Sequence, residues 1–185
     1  MDSAALAYWR KPELCVTIDY GQACARGEIR AAAQIAREIG AEHTIVHLDC
    51  SELGSGDLAA RPAIACAPAP EWWPYRNQFL ITVAAMMLLP RGIDRLLVGS
   101  VKSDSFHIDG RAEFFEQIDR LISMQEGNVR IDAPALELTT VDLIRESATP
   151  DSLLGWSHSC HKADFACGNC RGCWKHRSVL DDLGW

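Results

Sequence analysis

Four of the eight cysteines in this 185-residue chain crowd into one short segment, at Cys160, Cys167, Cys170 and Cys173. The spacing is C-x6-C-x2-C-x2-C. Two residues between cysteines let neighbouring thiolates turn towards one ion, and four thiolates complete a tetrahedral zinc site. With every position filled by protein, such a metal is structural and offers nothing to a substrate. A cubane iron–sulfur cluster also uses x2 spacing, and four free thiols are the plainest alternative. Gly168 and Gly172 would relax the backbone between the ligands. His158, His161 and His176 lie close by, but four sulfurs suffice without them, so they read as supporting or surface residues. The remaining cysteines, Cys15, Cys24, Cys50 and Cys66, are scattered and read as small buried apolar side chains.

A second group of chemically able residues stands where apolar runs end. Asp19-Tyr20-Gly21-Gln22 follows the run Leu14–Ile18, and Gly99-Ser100-Val101-Lys102-Ser103-Asp104 follows Arg95–Val98. Tyr75-Arg76-Asn77 opens an apolar stretch, where the amino end of a helix favours anions. Turns attract Gly, Ser and Asp anyway; only together, at one sheet edge, do these groups suggest a pocket for a charged planar ligand.

The elements that would carry them alternate. Leu14–Ile18 reads as a strand, Gln22–Ile39 as a helix ended by Gly40, and Thr44–Leu48 as a strand, an order that implies a right-handed parallel crossover. Residues 50–74 hold four prolines and read as a long loop. Then come a buried helix (77–89), a strand (95–98), a helix (111–126), a short strand (129–132) and a helix from Thr139 to about Ser147, with Asp142 completing its cap. The fold class expected is α/β, an open parallel sheet covered by helices on both faces, with ligands beyond the carboxyl ends of the strands.

Composition narrows the possibilities. The formal charge is 18 − 25 = −7, which argues against a broad nucleic-acid surface. Apolar residues make up 48% and charged residues 23%, as in ordinary globular proteins, so wholesale disorder is excluded. The longest apolar run, Phe79–Leu89, has 11 residues, too few to span a bilayer. Met1 leads into Asp2 and Ser3 rather than a basic and then apolar stretch, so a cytoplasmic protein is expected.

In order along nearly the whole chain, these segments resemble the 7-cyano-7-deazaguanine synthases, the QueC branch of the PP-loop ATP-dependent enzymes. Asp19-Tyr20-Gly21-Gln22 looks like the family's D-Y-G-Q, and Pro74-Tyr75-Arg76-Asn77 like its P-G-R-N, with tyrosine where glycine is usual. Gly99–Asp104 parallels its G-V-x-x-x-D, and Asp109-x-Arg111-x-Glu113-Phe114 its D-x-R-x-E-F. The four cysteines match its zinc site, preceded by Ser159 where the family often has threonine.

The resemblance implies a Rossmann-like PP-loop core (the adenine nucleotide alpha hydrolase-like fold) over residues 1–150 and a zinc-binding lobe over 151–185. It implies structural zinc, ATP with magnesium, and 7-carboxy-7-deazaguanine and ammonia as substrates; a homodimer is compatible with it, a membrane is not involved, and nucleic acid is not expected. Arg76 and Asp104 become the catalytic candidates, at the nucleotide or substrate carboxylate and at magnesium or the base respectively. Ser3 would meet the phosphates and Asp2 assist the metal, while Tyr20, Gln22, Asn77 and Gly99 would complete the cofactor site.

Two departures stand out. The family's phosphate loop is S-G-G-x-D-S, of which Met1-Asp2-Ser3 looks like the last three positions; a shortened chain with an impaired phosphate cradle is the expectation. Many PP-loop enzymes also carry a lysine near the stretch Pro134–Asp142, where this chain offers Thr140. Two alternatives follow: a divergent relative that stops at the amide or attaches the deazaguanine to another acceptor, or a non-catalytic zinc-bearing module that serves a partner.

Overall fold

The computed structural model describes all residues from Met1 to Trp185. Its first element is a helix, α1 (Asp2–Arg10), which buries Ala4, Ala5 and Leu6 and ends at Lys11. Asp2 and Ser3 thus occupy a first helical turn. The apolar run that follows forms β1 (Leu14–Asp19). Apolar residues at helical spacing then build α2 (Ala25–Ile39), which Gly40 ends in a left-handed cap. Next is β2 (Glu42–His47), parallel to β1, with Leu14 opposite Glu42 and Asp19 opposite His47. The expected parallel crossover is present.

Residues 50–74 form the long loop, with only two single 3-10 turns at Ser51–Leu53 and Asp57–Ala59. After it come α3 (Arg76–Leu88), β3 (Arg95–Leu97), α4 (Ala112–Ser123) and β4 (Arg130–Asp132). β3 and β4 are parallel. Three helices close the chain: α5 (Thr140–Ser147), the single turn α6 (Asp151–Leu154) and α7 (Arg171–Leu183). Thr139 caps α5 by accepting the Asp142 amide at 3.1 Å. No helix is long and apolar enough to cross a membrane.

The α/β class with parallel strands is as expected, but the single open sheet is corrected. The strands form two separate two-stranded sheets, β1–β2 and β3–β4. Each ladder closes inside its own compact unit, and the second has strands of only three residues. One unit comprises Met1, Ser3–Pro74 and Ile144–Trp185; the other comprises Asp2 and Tyr75–Leu143.

In the first unit, α2 packs against both strands. Ala4, Ile35 and Leu153 meet in a small core, with Tyr8 and Ile39 packed on it. In the second unit, α3 packs on β3 and on α4, and α4 packs on β4. Asp119 fastens that last contact: Arg130 donates to it through Nε (2.9 Å) and Nη2 (2.6 Å), and the Ile131 amide donates at 2.8 Å. These donors, Arg130 first, hold the Asp119 carboxyl below the usual carboxylate range.

Two further expectations need adjustment. The apolar helix α3 is buried only along Ile81, Ala84, Ala85 and Leu88; Met86 and Leu89 are exposed. Of the scattered cysteines, Cys24 alone is buried, Cys15 and Cys50 are half-buried, and Cys66 lies exposed in the proline-rich loop.

Candidate metal centre and candidate active site

The x2 spacings do bring their sulfurs together. The Sγ atoms of Cys160, Cys167, Cys170 and Cys173 all lie within 4.8 Å of one another. Cys167 and Cys173 are 3.9 Å apart, and Cys170 and Cys160 4.0 Å. A tetrahedron of sulfurs at zinc–thiolate bond length has edges of about 3.8 Å, so the quartet fits a zinc ion with little adjustment. Two backbone amides, His161 and Cys173, donate to Cys170 Sγ at 3.4 Å each. The Asn169 amide donates to Cys167, whose pKa falls to about 7, while burial pushes Cys173 up to about 12.

The local backbone makes this packing possible. Gly168 adopts φ 74°, a left-handed conformation. Gly172 has a different role from the one expected, since a Cβ there would lie 1.9 Å from the Ser159 carbonyl oxygen. The histidines stay outside the quartet: His176 Nδ1 pairs with the Ser159 hydroxyl at 3.0 Å, and His161 contributes its amide.

The cysteine segment is tied to the rest of its unit by polar contacts that sequence reasoning missed. Asp164 accepts the Gly27 amide at 3.1 Å and so caps α2 from 137 residues away. Arg30 Nη2 donates to the Asp164 carbonyl at 2.7 Å, and its guanidinium sits over the Phe165 ring. A Cβ at Gly27 would come within 2.8 Å of the Asp164 carbonyl oxygen and the His158 ring, so only glycine permits this approach. Arg171 pairs with the buried Glu71 at 2.9 Å, and Lys162 with Asp57 at 3.4 Å; both tie the long loop to the cysteine segment. No local sequence signal announces such pairs.

At the carboxyl end of β1, Tyr20 and Gln22 are both buried. The Tyr20 ring meets Trp73 edge-on at 4.8 Å. The Gln22 side-chain carbonyl accepts the Tyr20 amide, and its NH2 donates to Ile18 O and to Glu28 at 2.8 Å. Cys24 Sγ also donates to Glu28, at 3.4 Å. Burial, and then the Glu28 carboxylate, push the Cys24 thiol up, so it stays protonated. Glu28 was missed, although its place one helical turn after Cys24 is a usable signal.

The second unit holds the other candidates. Arg76 directs Nε (3.4 Å) and Nη2 (3.3 Å) to Asn77 Oδ1, and Asn77 Nδ2 donates to the Asp109 carbonyl at 3.3 Å. Asp104 closes its own turn, accepting from the Val101 amide at 3.0 Å and the Ser100 hydroxyl at 3.4 Å. A Cβ on Gly110 would stand 2.1 Å from the Asp104 carbonyl oxygen, so this turn and the Asp109–Gly110 turn are in close contact. Arg76, Asn77, Gly99, Ser100 and Asp104 are all half-buried or buried. Ser3 is exposed; Asp2 accepts from Thr140 Oγ1 at 2.6 Å. Tyr75 has φ 53° and ψ 21°, the left-handed conformation natural to glycine, at a strain of about 1 kcal/mol or more.

Comparison with known proteins points in one direction. A family model described as "Queuosine biosynthesis protein QueC" matches residues 1–184. A 7-cyano-7-deazaguanine synthase from Pseudomonas paraeruginosa is 32% identical, over 94% of this chain and 86% of its own length. One from Porphyromonas gingivalis W83 is 28% identical over 100% and 90% respectively. One from Methanosarcina barkeri is 28% identical over 93% and 84%. Because that likeness takes in both the sulfur quartet and the Arg76–Asp104 region, the chain belongs to the QueC family.

Proposed function

We propose that the protein is an ATP-dependent carbon–nitrogen ligase that converts 7-carboxy-7-deazaguanine and ammonia to 7-cyano-7-deazaguanine. The observation that carries this reading is the chain Arg76–Asn77–Asp109, a guanidinium held in place by a side chain that is itself held by backbone. A fixed guanidinium suits a carboxylate or phosphate better than a mobile one.

The chemistry needs such a group. A carboxylate is anionic and its leaving group would be oxide, so it resists attack by ammonia. Transfer of AMP to the carboxylate, with release of pyrophosphate, supplies a leaving group. Ammonia then displaces AMP to give the amide. A second adenylation, on the amide oxygen, permits loss of AMP and a proton to give the nitrile. Arg76 orients the carboxylate or the phosphates and offsets developing charge. Asn77 and Gly99 would serve the nucleotide; in the other unit, Tyr20 and Gln22 brace the loop after β1.

Magnesium, when bound, neutralises triphosphate charge. Asp104 and Asp2 are the carboxylates we assign to it; each also accepts a hydrogen bond from protein. The four cysteines would hold zinc, which would supply a cross-link and no reaction chemistry. In this reading residues 1–150 form the nucleotide core and 151–185 the zinc lobe that steadies it.

A second reading rests on Thr140. It is buried and bonded to Asp2, so no cation stands where many PP-loop enzymes have lysine. That favours a relative that stops at the amide or delivers the deazapurine to a partner. Product analysis by mass spectrometry, with the three substrates supplied, decides between the two. Nitrile supports the first reading and accumulated amide the second; Arg76→Ala should lower either product by roughly a hundredfold.

A further inference from the structure

Tyr75 is the residue whose identity the fold does least to explain. Five non-glycine residues have left-handed backbone: Lys11, Ala60, Tyr75, Asn128 and Ala148. Tyr75 alone among them is aromatic, and bulky residues are the ones that conformation penalises most. Helix capping does not account for it, because Tyr75 precedes α3 without a side-chain hydrogen bond to it. Serine, aspartate or asparagine in extended backbone would serve there better. Packing does not account for it either, since the side chain is 78% exposed. Glycine would relieve the backbone and would sacrifice almost no burial.

What the ring does offer is a flat π-face, held at the mouth of α3 and next in sequence to the Arg76 guanidinium, itself oriented by Asn77. Strained side chains persist where a ligand uses them, and an aromatic face is a general partner for planar heterocycles. We infer that Tyr75 is a specificity-determining residue whose ring stacks on the planar heterocycle bound beside Arg76. This rests on the ligase reading above, which supplies two such heterocycles, the deazapurine and the adenine of ATP.

Three variants, Tyr75→Gly, Tyr75→Ala and Tyr75→Phe, test it by thermal melting and by calorimetry with 7-carboxy-7-deazaguanine and ATP separately. Tyr75→Gly should melt about 2–4 °C higher than wild type, through relief of strain. It should also bind one of the two probes roughly tenfold more weakly, through loss of stacking. Tyr75→Ala should show the weaker binding without the rise in melting temperature. Tyr75→Phe should keep wild-type affinity. The probe that is weakened identifies the heterocycle. Wild-type binding that all three variants retain overturns the inference and leaves the ligase reading intact. Failure of the wild type to bind either probe overturns both.

Discussion

The sulfur quartet and the Arg76–Asp104 region achieve order in opposite ways. Three of the four cysteines fall within seven consecutive residues, and their convergence needs little beyond local turns. Arg76, Asn77, Asp104 and Asp109 span more than thirty residues and meet through backbone carbonyls and amides of turns. A metal-binding segment carries its geometry in its own spacing, and a substrate-orienting one borrows geometry from the fold. The first should therefore govern stability and the second chemistry.

The sharpest way to break that contrast is Cys170→Ser. Cys170 takes two amide hydrogen bonds and faces the other three sulfurs, so its loss should abolish zinc binding. Bound metal should fall from about one per chain to near none, with the melting temperature down by more than about 10 °C. An unchanged melting curve would show that the quartet does not hold the fold.

Asn77→Ala probes the other side. It frees the Arg76 guanidinium and should lower kcat/KM by about tenfold or more. The melting temperature should move by less than about 2 °C. A large thermal effect with little kinetic effect would reverse the roles assigned to the two regions.

Asp164→Ala tests the join between the cysteine segment and α2. Loss of a cap costs about 1 kcal/mol. The Gly27 amide should exchange with solvent several-fold faster while zinc content stays constant, and Asp164→Asn, which keeps an acceptor, should restore most protection. Exchange that does not change would remove the remote cap from the account.

Asp119→Asn is the mildest test and belongs to the second unit. The carboxyl is held low by Arg130, so its stabilising effect is fully present above the ordinary carboxylate range and fades as pH falls through the lowered value. The variant should melt roughly 1–2 °C below wild type near neutral pH. The gap should close in strong acid; a gap independent of pH would mean that charge is not involved.

Much of the scaffold was legible in the residues. The run Leu14–Ile18, the helical spacing up to Ile39, Gly40 and the Thr139–Asp142 cap all act over a few positions, and each appears where expected. α1 was missed because Asp2 and Ser3 read as loop, although Ala4, Ala5 and Leu6 give it a buried face. The two short sheets could not be foreseen, since strand pairing is decided by partners distant in sequence. The same holds at the site. The sulfur quartet was visible from spacing, whereas the Asp164 cap on Gly27 and the Glu71–Arg171 pair join positions more than ninety residues apart. The left-handed Tyr75 lay hidden for another reason, because nothing in a tyrosine signals a glycine-like backbone.

The most direct test of the catalytic assignment is the stoichiometry of AMP released by zinc-loaded protein given 7-carboxy-7-deazaguanine, ammonia and ATP. The proposed route predicts two AMP for each nitrile formed, with no release when either the deazapurine or ammonia is omitted. AMP formation indifferent to the deazapurine, or none at all from metal-replete protein, would contradict it.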